Sequence, residues 1–247
     1  MSDQATKRDG QHVALVHERL RAAILRGEIP AGSVTSQSSL ALQLDAGRTP
    51  LREALRLLQR EGLVLSEPNR RVRIADLSAG DAEQLYVMRI SLEVVAIRLT
   101  VPQLTSHRIA ELEGLFAQMG HYERAGDRLG LREPHRAFHR LLTAGVGPRV
   151  DTELAELFDH AERYRLRYGG TDPQTWAERR AEHRAILDAA TVGDGELAAQ
   201  RLADHYARTA GLIFAGLDPG HSPERMLAAI AMLVPASPVD AALGSPL

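Results

Sequence analysis

Cysteine is absent from the chain. Disulfide staples, thiolate-bound metals and a catalytic thiol are therefore excluded, and any metal must be held by imidazole or carboxylate. Aromatic residues make up only 4% of the 247 residues. With alanine and leucine abundant, that composition favours helix, because sheets draw on aromatic and β-branched side chains. The longest apolar run, Leu227 to Val234, is too short to span a bilayer, and the polar stretch Met1 to Gln11 lacks the apolar centre of a signal peptide. The expected setting is the cytoplasm, with no membrane partner. Lysine is scarce as well: Lys7 stands alone, and the other 29 of the 30 basic residues are arginine. That bias by itself does not imply nucleic acid; arrangement has to decide.

The size and a 44% hydrophobic, 25% charged composition fit one large or two modest globular domains. The net charge of −2 hides an asymmetry. Up to Asp76 there are 12 basic and 9 acidic residues, and beyond it 18 basic and 23 acidic. Seven arginines fall between Arg48 and Arg73, so a polyanion would dock there.

Apolar spacing predicts a helix over Val13 to Leu25, a short one over Ser38 to Leu44, and a third over Thr49 to Glu61 after a tight turn at Asp45, Ala46 and Gly47. Leu63 to Leu65 and Val72 with Ile74 read as a β-hairpin around the polar tip Ser66 to Arg70. Three helices and a hairpin over residues 12–76 make a winged helix-turn-helix. The remainder reads as helix only. Ser78 and Asp81 open a long helix whose apolar side is expected through Leu85, Met88, Leu92, Val95 and Leu99. Further helices follow at about 105–126, 129–145, 149–169, 173–192 and 195–216, giving an antiparallel bundle over 78–216. Residues 217–247 hold a short helix, Glu224 to Val234, and a tail expected to be disordered. The expected fold is mainly α.

On the third helix Arg48, Arg52, Arg56 and Arg60 recur every fourth residue, while Leu51, Leu55 and Leu58 take another face. A solvated arginine face and a DNA-reading face are both open on that spacing. The hairpin tip Asn69-Arg70-Arg71 adds positive charge where a wing would flank a duplex. Leu20-Arg-Ala-Ala-Ile-Leu-Arg-Gly-Glu-Ile-Pro30, Gly47-Arg-Thr-Pro-Leu-Arg-Glu-Ala-Leu55, Glu61-Gly-Leu-Val64 and Pro68-Asn-Arg70 together resemble the DNA-binding domain of GntR-type bacterial transcription regulators. The resemblance implies that Arg48 and Arg52 approach base edges, Thr49 binds the DNA backbone, and Asn69 and Arg70 serve the wing. An arginine fork suits both acceptors of a guanine edge. The chain departs from the family pattern at Gln37, Ser38 and Arg71. Arg71 stands where a wing glycine is common, so Asn69 is expected to take the left-handed conformation.

His135 and His139 lie one turn apart on one predicted helix, a chelating spacing, while His183 and His205 lie on two others. Spacing leaves both a metal site and ordinary histidines open. The second half resembles the FCD ligand-sensing domain of the FadR subfamily through Arg89-x-x-x-Glu93, Phe138-His139, Glu182-His183-x-x-Ile186 and His205. That resemblance implies a divalent metal held by an aspartate and three histidines, with a carboxylate of the effector bound to it. Here His135 stands at the aspartate position. Four nitrogen donors suit zinc or nickel better than magnesium or calcium, and a more positive site favours an anionic effector. Alternatively, water replaces His135 in a three-histidine site. Arg89 is either a second anion-binding group or a structural ion pair.

The leading expectation is a homodimeric regulator that binds a palindromic double-stranded operator and senses a small carboxylate. Two alternatives are a metalloenzyme on the four histidines with Glu182 as base, and a winged-helix regulator whose helical domain only dimerises.

Overall fold

Glycines and short polar side chains set most of the element ends. In the computed structural model, which describes residues 2–69, 71–170 and 172–234, the chain divides between Leu77 and Ser78 into two compact units. The first contains α1 (Ser2–Leu25), β1 (Val34–Ser36), α2 (Gln37–Gln43), α3 (Arg48–Arg60), β2 (Val64–Glu67) and β3 (Arg71–Ile74). Gly27 and Gly62 take positive φ just after α1 and α3, a conformation open to glycine at little cost. Ser36 caps α2 by accepting a hydrogen bond from the Ser39 amide.

Two features of this unit go beyond the sequence reading. The first helix begins at Ser2 rather than near Val13, and the expected hairpin is a three-stranded antiparallel sheet of order β1-β3-β2. Val34 pairs with Arg73 on one side of β3, while Val64 pairs with Ile74 on the other. Leu20, Ile24, Leu51, Leu58, Leu63 and Ile74 meet in a single core. His17 and Arg21 both bond the Glu61 carboxylate, Arg21 Nε at 2.7 Å, tying α1 to the end of α3. Asn69 adopts φ 60°, as its place at the wing tip leads one to expect. Arg70 and Thr171 lie outside the described residues, as do 235–247, on which the expected disordered tail falls.

The second unit is helical throughout its described residues: α4 (Ala79–Thr100), a 3₁₀ turn (Val101–Gln103), α5 (Ser106–Ala125), α6 (Arg128–Thr143), α7 (Pro148–Tyr168), α8 (Pro173–Thr191), α9 (Gly195–Leu217) and α10 (Glu224–Leu233). Ser78, Thr105, Asp127, Asp172 and Asp194 each cap a helix by accepting from the amide three residues on. Helix α4 runs against α6, α7, α9 and α10. Glu83 accepts from the first amides of α10, and the buried Met226 and Ile230 dock it onto the bundle.

The face that α4 turns inward corrects the sequence reading. Of the expected stripe, Leu85 is buried and Leu92 half-buried, but Met88, Val95 and Leu99 are 49%, 43% and 52% exposed. The core is met by Tyr86, Ile90, Val94 and Ile97, with Arg89 and Glu93 among them. Those two charges gave the inward face a polar appearance in the sequence, yet they are buried as a pair.

Candidate functional site

Leu51, Leu55 and Leu58 of α3 point into the core of the first unit, while Arg48, Thr49, Arg52, Arg56 and Arg60 are exposed. Arg56 lies 3.4 Å from Glu53. Arg48, Arg52 and Arg60 make no ion pair among the described residues. Stacked like charges at i, i+4 repel one another, so Arg48, Arg52 and Arg60 form a standing positive field on a rigid helix. Asp45 takes φ 48° in the turn that swings α3 away from α2. At the wing, Asn69 and Arg71 are exposed, while Arg73 Nε is held by Glu67 at 2.6 Å.

In the second unit, α6 contributes His135 and His139, α8 contributes His183, and α9 contributes His205, all buried. One nitrogen of each lies within 4.8 Å of the corresponding nitrogens of the others. His135 with His139 and His183 with His205 pack edge to face, ring centres 4.7 and 4.5 Å apart, while His139 and His205 stack. Burial, reinforced by neighbouring imidazoles and Arg165, holds His135, His139 and His183 well below the usual histidine range. They are neutral at physiological pH and keep a lone pair available.

Hydrogen bonds to the far side of each ring decide where that lone pair sits. His183 Nδ1 lies 2.8 Å from the Arg179 carbonyl oxygen, which can only accept. His205 Nδ1 lies 2.7 Å from Glu182 Oε2, which also accepts. Arg208 donates to the other oxygen of Glu182 at 3.0 Å. Although burial raises the Glu182 carboxyl, these partners hold it below its usual range, so it stays ionised. His139 Nδ1 lies 3.3 Å from the Tyr206 oxygen, whose own hydroxyl donates to Glu93. All three Nδ1 atoms are thereby assigned the proton, which leaves the lone pairs of the neutral His139 and His183 rings on Nε2. His139 Nε2 and His183 Nε2 face each other at 3.2 Å. Two lone pairs at that distance repel unless a cation lies between them. A metal about 2.0–2.1 Å from each nitrogen separates its ligand nitrogens by about 3.0–3.4 Å. The fourth histidine adds an unsatisfied atom: His135 Nδ1 is buried without a hydrogen-bond partner. This donor set could hold zinc or nickel.

Arg89 stands beside the cluster as a structural ion pair. Its Nε donates to Glu93 at 2.7 Å and its Nη2 to the Tyr206 oxygen at 2.7 Å. The guanidinium is 4.2 Å from the centre of the Tyr206 ring. Tyr206, which links Arg89 and Glu93 to His139, was not singled out from the sequence. Its position directly after His205 is the signal, since a buried tyrosine hydroxyl needs a polar partner.

Residues 13–74 match the family described as bacterial regulatory proteins, gntR family, and residues 84–208 match the FCD domain. The chain belongs to the GntR family. It is 31% identical over 202 residues to a probable D-xylose utilization operon transcriptional repressor from Paenarthrobacter nicotinovorans, covering 74% of this chain and 80% of that one. It is also 26% identical over 200 residues to the transcriptional repressor GlaR of Escherichia coli K12, covering 75% and 88%. The solved structure of E. coli McbR/YncC shares the fold at a TM-score of 0.73 and 21% identity, over 82% of this chain and 97% of that one. This GntR protein is a transcriptional regulator with a DNA-binding helix-turn-helix and an FCD domain, mainly helical with a small antiparallel sheet. The matched domains and relatives are those of regulators, not enzymes, which sets aside the metalloenzyme alternative. Among the described residues no helix is long and apolar enough to cross a membrane.

Proposed function

We propose that this GntR regulator acts in the cytoplasm as a homodimer on a palindromic operator, and that its FCD domain senses a small carboxylate bound at a divalent metal. Arg48 and Arg52 read base edges, Thr49 holds a phosphate, and Asn69 and Arg70 place the wing. His135, His139, His183 and His205 would hold zinc or nickel. The metal would supply a Lewis-acidic, doubly positive anchor for the effector carboxylate. Glu182 and Tyr206 fix the His205 and His139 rings from behind, as the outer partners of a ligating histidine do. Arg89, neutralised by Glu93, orients Tyr206, whose oxygen accepts from Arg89 and whose hydroxyl donates to Glu93. The observation that carries the metal reading is that the His139 and His183 Nε2 atoms face each other at 3.2 Å, inside a cluster where one nitrogen of each of the four histidines lies within 4.8 Å of the others.

The homodimer reading rests on the exposed apolar row Met88, Val95 and Leu99 on α4, with Leu92 half-buried in line with them. Each chain carries one recognition helix, and a palindrome offers two half-sites. A second copy of this chain is the occupant that supplies both a matching apolar row and the second head.

The decisive experiment is elemental analysis of the purified wild type and of His139→Ala and His183→Ala, followed by calorimetry with small carboxylates. Wild type should carry about one metal per chain, both variants should lose it, and carboxylate binding should disappear with it. A wild type that neither carries nor takes up metal, and that matches the variants in stability, leaves a regulator whose helical domain only dimerises.

A further inference from the structure

Positive charge is concentrated among α6, α7 and α8, where Arg128, Arg165 and Arg179 lie within electrostatic reach of one another. Two of the three are accommodated. Arg165 is forked onto Glu162, with Nε at 2.7 Å from Oε2. Arg128 Nη2 donates to the backbone carbonyls of Arg165 and Leu166 near the end of α7. Arg179 differs: its Nε and Nη2 are both buried and neither has a hydrogen-bond acceptor. Glu123 on α5 is within electrostatic reach but makes no hydrogen bond to that edge. Burial and the neighbouring Arg165 push the Arg179 guanidinium down to about 10, so it remains charged near neutral pH.

Three further features fit this unpaired edge. The Nε–H and Nη2–H groups form one side of the guanidinium fork, the geometry that takes a carboxylate or phosphate through two parallel hydrogen bonds. Gly169 gives the fork room, since a side-chain carbon there would lie 2.9 Å from Arg179 Nη2. On the same face of α8, one turn earlier, Trp176 Nε1 is a second buried donor without a partner. Guanidinium donors buried without acceptors are costly to maintain even with the Glu182 carboxylate in electrostatic reach, and an incoming anion removes that cost.

The unpaired edge lies close to the histidines. Arg179 precedes His183 by one helical turn, about 6 Å along the axis, and its carbonyl accepts the His183 Nδ1 hydrogen bond. Tyr86, within electrostatic reach of Arg89, Arg165 and Arg179, meets the Tyr206 ring edge-on at 6.1 Å. Tyr206 in turn stacks on His139.

We propose that the Nε/Nη2 edge of Arg179, assisted by Trp176 Nε1–H, is a second oxyanion anchor, so that the effector carries oxyanions at both ends, as a dicarboxylate or a phosphorylated carboxylate does. The proposal rests on the histidine cluster as the first anchor, and it is tested on the full chain loaded with zinc. Calorimetry compares succinate, glutarate and adipate with butyrate, valerate and hexanoate, and 3-phosphoglycerate in parallel tells phosphate from carboxylate at the second anchor. At least one dianion should bind about tenfold or more tightly than its single-ended counterpart. Arg179→Gln should abolish that ratio while metal content and monocarboxylate affinity stay at wild type. Without ligand, Arg179→Gln should melt at or above the wild-type temperature, because the buried donors without acceptors are gone. Arg179→Lys, which keeps the charge and loses the fork, should fold and lose most of the ratio; Trp176→Phe should lose part of it. An equal ratio in wild type and both Arg179 variants overturns the anchor.

The two readings fail separately. In chelated, metal-free protein, a thermal shift with inorganic phosphate that disappears in Arg179→Gln supports the anchor even if the histidines hold no metal. Metal and monocarboxylate binding with no dependence on Arg179 in either state removes the anchor and leaves the histidine reading standing.

Discussion

Arg48 and Arg52 open the exposed side of α3, free of carboxylate partners, on a helix whose other side is locked by Leu51, Ala54, Leu55 and Leu58. Replacing either by alanine leaves the packed side untouched. Each should therefore keep its melting temperature and lose about 1–3 kcal/mol at a cognate operator, with relaxed base preference at the contacted position. Fluorescence anisotropy at fixed salt measures this; unchanged affinity in both variants means the ladder is only a solvated face. Glu182 does comparable work for the second unit, because its carboxylate holds the His205 proton on Nδ1. Glu182→Gln should weaken metal binding about 10–100-fold, as loss of an outer partner does, read by competition with a chromogenic chelator. Wild-type metal affinity in that variant would show that His205 is oriented by packing alone.

The helix ends were legible because their punctuation is local: Gly27 and Gly62 at positive φ, and Ser78, Thr105, Asp127, Asp172 and Asp194 as caps. The left-handed Asn69 was legible for the same reason. Strand β1 was not, since three residues with no alternation become a strand only by pairing with Arg71–Ile74, far along the chain. The direction of α4 was not legible either. Its two opposite sides are both apolar, and the Arg89–Glu93 pair made the buried side look polar. Between α1 and α3 the shared partner is Glu61, which accepts from His17 and Arg21. Glu61→Ala should lower stability by about 1.5–3 kcal/mol, the range for hydrogen bonds to charged groups. Urea denaturation followed by helical circular dichroism checks it, and a change under 0.5 kcal/mol would make the contact incidental.

At the scale of the whole molecule, the proposed palindromic operator calls for two heads, and the apolar row on α4 is where a second copy would sit. The double variant Val95→Glu/Leu99→Glu alters only exposed positions. It should fold as wild type, sediment as a monomer at micromolar concentration, and bind the full palindrome more than about tenfold less tightly, because the two half-site contacts are no longer linked. A variant that remains dimeric moves the seam elsewhere. By itself the sequence determined the order of elements, the winged-helix head, the arginine ladder and the four candidate histidines, because these depend on residue type and short-range spacing. Tertiary structure alone decided that the His139 and His183 Nε2 atoms face each other among the other imidazoles, that Arg89 also reaches Tyr206, and that the Arg179 Nε and Nη2 atoms are buried without a hydrogen-bond partner. The deciding contacts include ones far apart in the chain, such as His139 with His183, 44 positions on, and Arg89 with Tyr206, 117 positions on, and no local pattern encodes which way a ring or a guanidinium turns once the helices pack.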